Sequence, residues 1–180
     1  LTMKYKDELI RAMTWLGQQS NTFFLGQAVA YKGTAMFDTL LGVPKEKLWE
    51  FPVCEDMQLG ISIGMSLNNT TVPISLFPRW NFLLLATNQI VNHLDKIPMM
   101  VDAPYRPKVI IRTSIGSQRP LHPQHQHIGD FTEAFRSMCK TINVIRLDEP
   151  EQVFDSYVYA YQGTTYSSII VEWGDYYNEK

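Results

Sequence analysis

Only two of the 180 residues are cysteine, Cys54 and Cys139. Two thiols cannot build a disulfide framework, so they read as free thiols in a reducing cytosol. No apolar stretch approaches the ~18 residues that a membrane span needs. The longest, Phe82-Leu83-Leu84-Leu85-Ala86, is flanked by Asn81 and Thr87. Neither charge dominates, because 16 Lys and Arg face 18 Asp and Glu, a formal net charge of −2. A chain without a basic excess is not expected to hold nucleic acid by charge. The start, Leu1-Thr2-Met3-Lys4, lacks the apolar core of a secretory signal. Met3 is therefore expected to be the natural start, Leu1-Thr2 a tag remnant, and the location cytoplasmic. Also absent are Gly-x-Gly-x-x-Gly, a Gly-Lys-Ser/Thr phosphate loop, Cys-x-x-Cys and a Gly-x-Ser-x-Gly elbow. The chain thus carries no diphosphate- or magnesium-binding motif of its own.

What is present is a globular composition, 45% hydrophobic and 19% charged. At this length one domain can bury about 70% of its unfolded surface. Segments of helical period alternate with short apolar runs, the pattern of an α/β domain. Leu9, Ile10, Met13 and Leu16 share one face of a first helix closed by Gly17. Phe23-Phe24-Leu25 predicts a strand, and residues 27–50 predict an irregular stretch with a short amphipathic piece near Met36–Leu41. A second helix is expected from just after Cys54 to about Leu67, with Gly60 and Gly64 on one face. Val72–Leu76 predicts a strand. Trp80 to Asp95 predicts a long helix buried on more than one side. Pro98, Pro104 and Pro107 mark a connection. Val109-Ile110-Ile111 has the unbroken apolar character of a buried parallel strand. Ser114 to Gln126 should form a loop beyond its carboxyl end, where open α/β sheets bind ligands. A helix at Phe131–Cys139, a strand at Val144-Ile145, a helix from Pro150 to about Tyr161 and a strand at Ser168–Val171 complete the reading. The domain is taken as 4–172, with 173–180 a polar and aromatic tail.

Three groups of residues could carry chemistry. Glu55 stands in the first turn of the second helix, where the helix dipole alone favours an acid. Its apolar approach, Phe51-Pro52-Val53-Cys54, suggests a desolvated carboxyl poised to donate a hydrogen bond. Phe77, Trp80 and Phe82, with Pro78 and Arg79, suit either a core or an aromatic face for a heterocycle. His122, His125 and His127 fall within six residues. They could bind a metal, but no carboxylate or thiolate partner is evident, and a loop histidine acting on substrate is the stronger reading.

The run Phe51-Pro52-Val53-Cys54-Glu55-Asp56-Met57-Gln58-Leu59-Gly60 resembles Thr-Pro-Ile-Ser-Glu-x-Gly-x-x-Gly of the transketolase-like pyrimidine-binding domain. The likeness is closest to the beta subunit of pyruvate dehydrogenase and other 2-oxo acid dehydrogenases. Pro73–Phe77, Trp80-Asn81-Phe82 and Ala86–Asn92 follow the family order. Phe24-Leu25-Gly26 matches its first strand, and Gln126-His127 with Phe131 matches its Gln-His loop. The resemblance covers about residues 4–172. It implies a three-layer α/β/α fold with a mostly parallel sheet, and thiamine diphosphate held between two domains. By resemblance Glu55 meets N1′ of the aminopyrimidine and Phe82 stacks on that ring. Pro78 stands at a cofactor-contacting position, and His127 lies near the substrate. The cofactor then supplies the nucleophile and electron sink for a 2-oxo acid or ketose.

The sequence also departs from the family. Gln27 and Ala28 replace two glutamates, and Asp56 and Met57 alter the residues after Glu55. Leu76 replaces a glutamate, and Ile128-Gly129 follows His127 in place of Ser-Gln. The Gly-Asp-Gly…Asn element for Mg²⁺ and diphosphate is absent, as is a second domain. The resemblance therefore implies one subunit of a split enzyme, a homodimer or hetero-tetramer with a diphosphate-side partner that holds Mg²⁺. A non-catalytic interaction or regulatory protein on the same fold is the alternative, and an independent His-loop metalloprotein a third.

Overall fold

The structure is a computed structural model that describes residues 3–100, 105–119 and 122–179. The expected tag remnant at Leu1-Thr2 and the breakers Pro104 and Pro120 lie outside them. In chain order the strands are β1 (Thr22–Gly26), β2 (Leu48–Glu50), β3 (Val72–Phe77), β4 (Ile110–Ile115), β5 (Asn143–Arg146) and β6 (Ser168–Trp173). They form one sheet in the order β2-β1-β3-β4-β6-β5, and every neighbouring pair is parallel. The helices are α1 (Tyr5–Gln18), α2 (Ala35–Asp38), α3 (Glu55–Ser66), α4 (Trp80–Leu83), α5 (Ile97–Met100), α6 (Thr132–Met138), α7 (Pro150–Val158) and α8 (Tyr176–Glu179).

Strand alternation divides the core in two. Phe24, Ile74, Leu76, Ile110 and Ile170 meet Leu9, Met13 and Leu16 of α1 and Val153 and Tyr157 of α7. On the opposite face Phe77, Ile111, Ile169 and Val171 meet Leu59 and Ile63 of α3 and Phe135 of α6. Successive residues Ile110 and Ile111 thus serve opposite layers. That is why the Val109–Ile111 run is apolar without interruption. The result is a three-layer α/β/α architecture. Helix α7 starts with Pro150 in its first turn and a capping box between Glu149 and Gln152.

Several local expectations are corrected. The stretch from Trp80 to Asp95 is not one regular helix. After α4 comes a 3₁₀ turn at Leu84–Ala86 and then a π-helical segment at Gln89–Leu94. Nor is it buried on more than one side. Trp80, Leu83, Ala86, Ile90 and Leu94 are buried, while Leu85 is 65% exposed. Those buried positions are spaced by three and then four residues. Tightening followed by widening of the helix keeps that single stripe on the sheet. Residues 27–50 contain a strand, β2, that the sequence did not announce. Within the stretch taken as a tail, Tyr176–Glu179 form α8, and Tyr177 is buried in the α1 layer.

Candidate functional site

Three loops beyond the carboxyl edge of the sheet carry the residues singled out above. Glu55 opens α3 and is only 5% exposed. Its backbone is fixed by the turn before it, where the Cys54 N–H donates to the Pro52 carbonyl at 2.8 Å. Its position is fixed by a residue the sequence reading passed over, Gln58, one turn further along. The Gln58 amide donates to the Leu25 carbonyl at 3.2 Å, Ser75 Oγ at 3.1 Å and the Leu76 carbonyl at 2.9 Å. Gln58 is fully buried. It ties the first turn of α3 across the ends of β1 and β3 through backbone groups. A glutamine among apolar neighbours was the available signal, since a buried amide must find partners.

The Glu55 carboxylate accepts one hydrogen bond among the described residues, from Gln27 Nε2 at 3.4 Å. The Cys54 side chain does not cap α3. A buried carboxylate with a single long hydrogen bond retains acceptor capacity for a further donor. That spare acceptor capacity is of the kind a protonated ring nitrogen of a bound heterocycle would use.

Phe82 and His127 are brought together. Their ring centroids lie 5.2 Å apart at an interplanar angle of 50°. Two hydrogen bonds join their elements. Arg79 Nη1 donates to the His127 carbonyl at 3.4 Å, and the Gly129 N–H donates to Asn81 Oδ1 at 3.2 Å. Gly116, just past β4, makes this docking possible, because a Cβ there would overlap the His127 carbonyl oxygen. The His127 Nδ1 is buried without a partner among the described residues. Pro78 presents its carbonyl to Ser114 Oγ at 2.7 Å. It lines a cavity of about 290 Å³ with Arg79 and Ser114.

The remaining candidates fall elsewhere. Phe77 and Trp80 are core residues, and Trp80 packs on Phe135 at 4.9 Å between ring centroids. His122 and His125 are exposed, and the His122 ring accepts the Gln124 N–H. Among the described residues no group of three His, Cys, Asp or Glu side chains is placed to hold a metal. Cys54 is exposed, whereas Cys139 is buried, and burial with the nearby Asp95 pushes its thiol up to about 11. No described helix is long and apolar enough to cross a membrane.

Glu55 follows β2, Phe82 follows β3 and His127 follows β4, and β1 with Gln27 lies between β2 and β3. The fold has counterparts among solved structures. The chain is similar to a split-gene transketolase in an inactive beta4 tetramer, with a TM-score of 0.71 and 16% identity over 97% of this chain. It is similar to the transketolase of Campylobacter jejuni, with a TM-score of 0.74 and 12% identity over 94% of this chain. The fold is transketolase-like. The chain spans 52% of the first of those proteins and 25% of the second. No family model matches the sequence, and no curated protein matches it.

Proposed function

We propose that this chain is the pyrimidine-side half of a thiamine-diphosphate enzyme, completed by a separate diphosphate-side polypeptide that holds Mg²⁺. The observation that carries the reading is Glu55, a buried carboxylate with unused acceptor capacity beyond the carboxyl edge of the sheet. Its oxygens can hold or release a proton at a ring nitrogen. Phe82 supplies an aromatic face, and the resemblance adds Pro78, which lines a cavity with Arg79 and Ser114. The Phe82 ring also backs His127, whose imidazole nitrogens can donate or accept a hydrogen bond at the substrate. Thiamine diphosphate, when bound, supplies an acidic carbon that adds to a carbonyl and then accommodates the electron pair released. The substrate class is a 2-oxo acid or a ketose. The finer likeness to 2-oxo acid dehydrogenase beta subunits is supported by the order of the sequence motifs.

The decisive experiment is calorimetry with thiamine diphosphate and Mg²⁺. Neither this chain alone nor the diphosphate-side subunit alone should bind the cofactor tightly, and their mixture should. Absence of partner-dependent binding would favour the non-catalytic alternative.

The surface beside Glu55 is suited to that partner or to a second copy. Val53 is 78% exposed and Leu85 65%, and Met57 and Ile61 are exposed one turn apart on α3. Such a patch marks an association surface. Ile61→Lys is expected to weaken association 10–100-fold, about 1.4–2.8 kcal/mol. Sedimentation velocity measures this, and an unchanged circular dichroism spectrum separates it from misfolding.

A further inference from the structure

Two carboxylates of one short connection grip four consecutive residues of another. Glu50, the last residue of β2, accepts three successive backbone amides. Its Oε1 takes the Ala28 N–H at 2.6 Å, and its Oε2 takes those of Val29 and Ala30 at 2.9 Å each. Ala28 has φ of 53°, in the left-handed region. That turn aims the three amides at one point, forming a backbone nest that holds an anion. Gln27, immediately before the nest, donates its side-chain amide to Glu55. Below both contacts the Phe51 N–H donates to the Gly26 carbonyl at 2.8 Å and sets the register of the two loops. Glu50 therefore holds residues 28–30 while Glu55 meets residue 27.

We propose that Glu50 is a positioning residue of the candidate site. It fixes the backbone from which Gln27 reaches Glu55 and so orients the Glu55 carboxyl. The assignment rests on the reading of Glu55 given above. Charge matters to the grip, since a carboxylate binds N–H donors more strongly than a neutral amide does. Glutamine at 50 would keep the shape but offer one acceptor oxygen and an NH₂ group that cannot accept. The nest would then loosen, Ala28 could leave its left-handed turn, and Gln27 would lose its fixed approach.

The test is nuclear magnetic resonance on the full chain, without cofactor or partner. In Glu50→Gln, amide exchange at Ala28–Ala30 should accelerate at least tenfold. The Gln27 side-chain NH₂ signal should move to the position of a free amide. The Glu55 carboxyl ¹³C signal should shift as it does in Gln27→Ala, with no further change in the double variant. Fast loop exchange with unmoved Gln27 and Glu55 signals would overturn the proposal, leaving Glu50 as a loop brace only. Should Glu50→Gln fail to fold, Glu50→Asp serves instead. It is expected to give a partial shift of the same signals, and unmoved signals there would equally overturn the assignment. Because no cofactor is present, failure here is distinguishable from failure of the calorimetric test.

Discussion

Glu55→Gln is expected to lower the activity of the reconstituted enzyme by roughly 10²–10⁴-fold, the range for loss of a positioned proton-transfer group. The amide preserves volume and can still accept from Gln27 through its oxygen. It cannot take up or release a proton at that oxygen. The loss should appear in kcat, because the exchange removes a proton-holding function rather than a substrate contact. Assembly with the partner and the melting temperature should stay unchanged, since the side chain makes one long hydrogen bond among the described residues. Steady-state kinetics together with sedimentation velocity check both halves. Activity within a few-fold of the wild type would remove Glu55 from the chemistry. His127→Asn should separate from it by acting more on substrate than on cofactor, in line with its position across the Phe82 ring.

The elements that the sequence announced are those whose burial leaves a period. Val109-Ile110-Ile111 reads as a parallel strand because both faces are covered, and α1 because Leu9, Met13 and Leu16 share one stripe. β2 was missed because Leu48-Trp49-Glu50 is a three-residue edge strand in which Trp49 and Glu50 are exposed. Strands β4 and β6 run further than expected because each continues through a charged residue, Arg112 or Glu172. A charge inside an apolar run normally ends a strand. Here the two charges satisfy each other across 60 residues of sequence, a pairing that no local pattern encodes. The candidate site divides in the same way. Glu55, Phe82 and His127 were legible through motif order, and the structure places the latter two against each other. Gln58 and Glu50 were not, because their partners are mostly backbone groups that carry no residue identity.

That hidden pair underlies the largest stability effect expected of a single substitution. Arg112 and Glu172 are both fully buried beneath α1, α7 and α8. Arg112 donates from Nε at 2.7 Å and from Nη2 at 3.0 Å to the two Glu172 oxygens. The hydroxyls of Tyr157 and Tyr177 donate to the same carboxylate. Glu172→Gln would leave a guanidinium without its counter-charge in the core, at a cost of about 3–5 kcal/mol. A fall in the urea midpoint with an unchanged slope measures it, and an unchanged midpoint would refute it. Replacing both charges, as Arg112→Met with Glu172→Leu, should not restore stability by itself. The two phenols would lose their acceptor, at about 1–3 kcal/mol each. Adding Tyr157→Phe and Tyr177→Phe should recover it. The same cluster makes stability depend on pH at the alkaline end. Burial, and then the Glu172 charge, hold the Tyr157 and Tyr177 phenols well above the usual range. The unfolded chain releases those protons near pH ~10 while the folded chain retains them. The unfolded state then binds fewer protons, so stability is intact below that pH and declines as pH rises toward the folded-state values. Tyr157→Phe with Tyr177→Phe should flatten that decline, because the variant has two fewer phenolic protons for the unfolded chain to release.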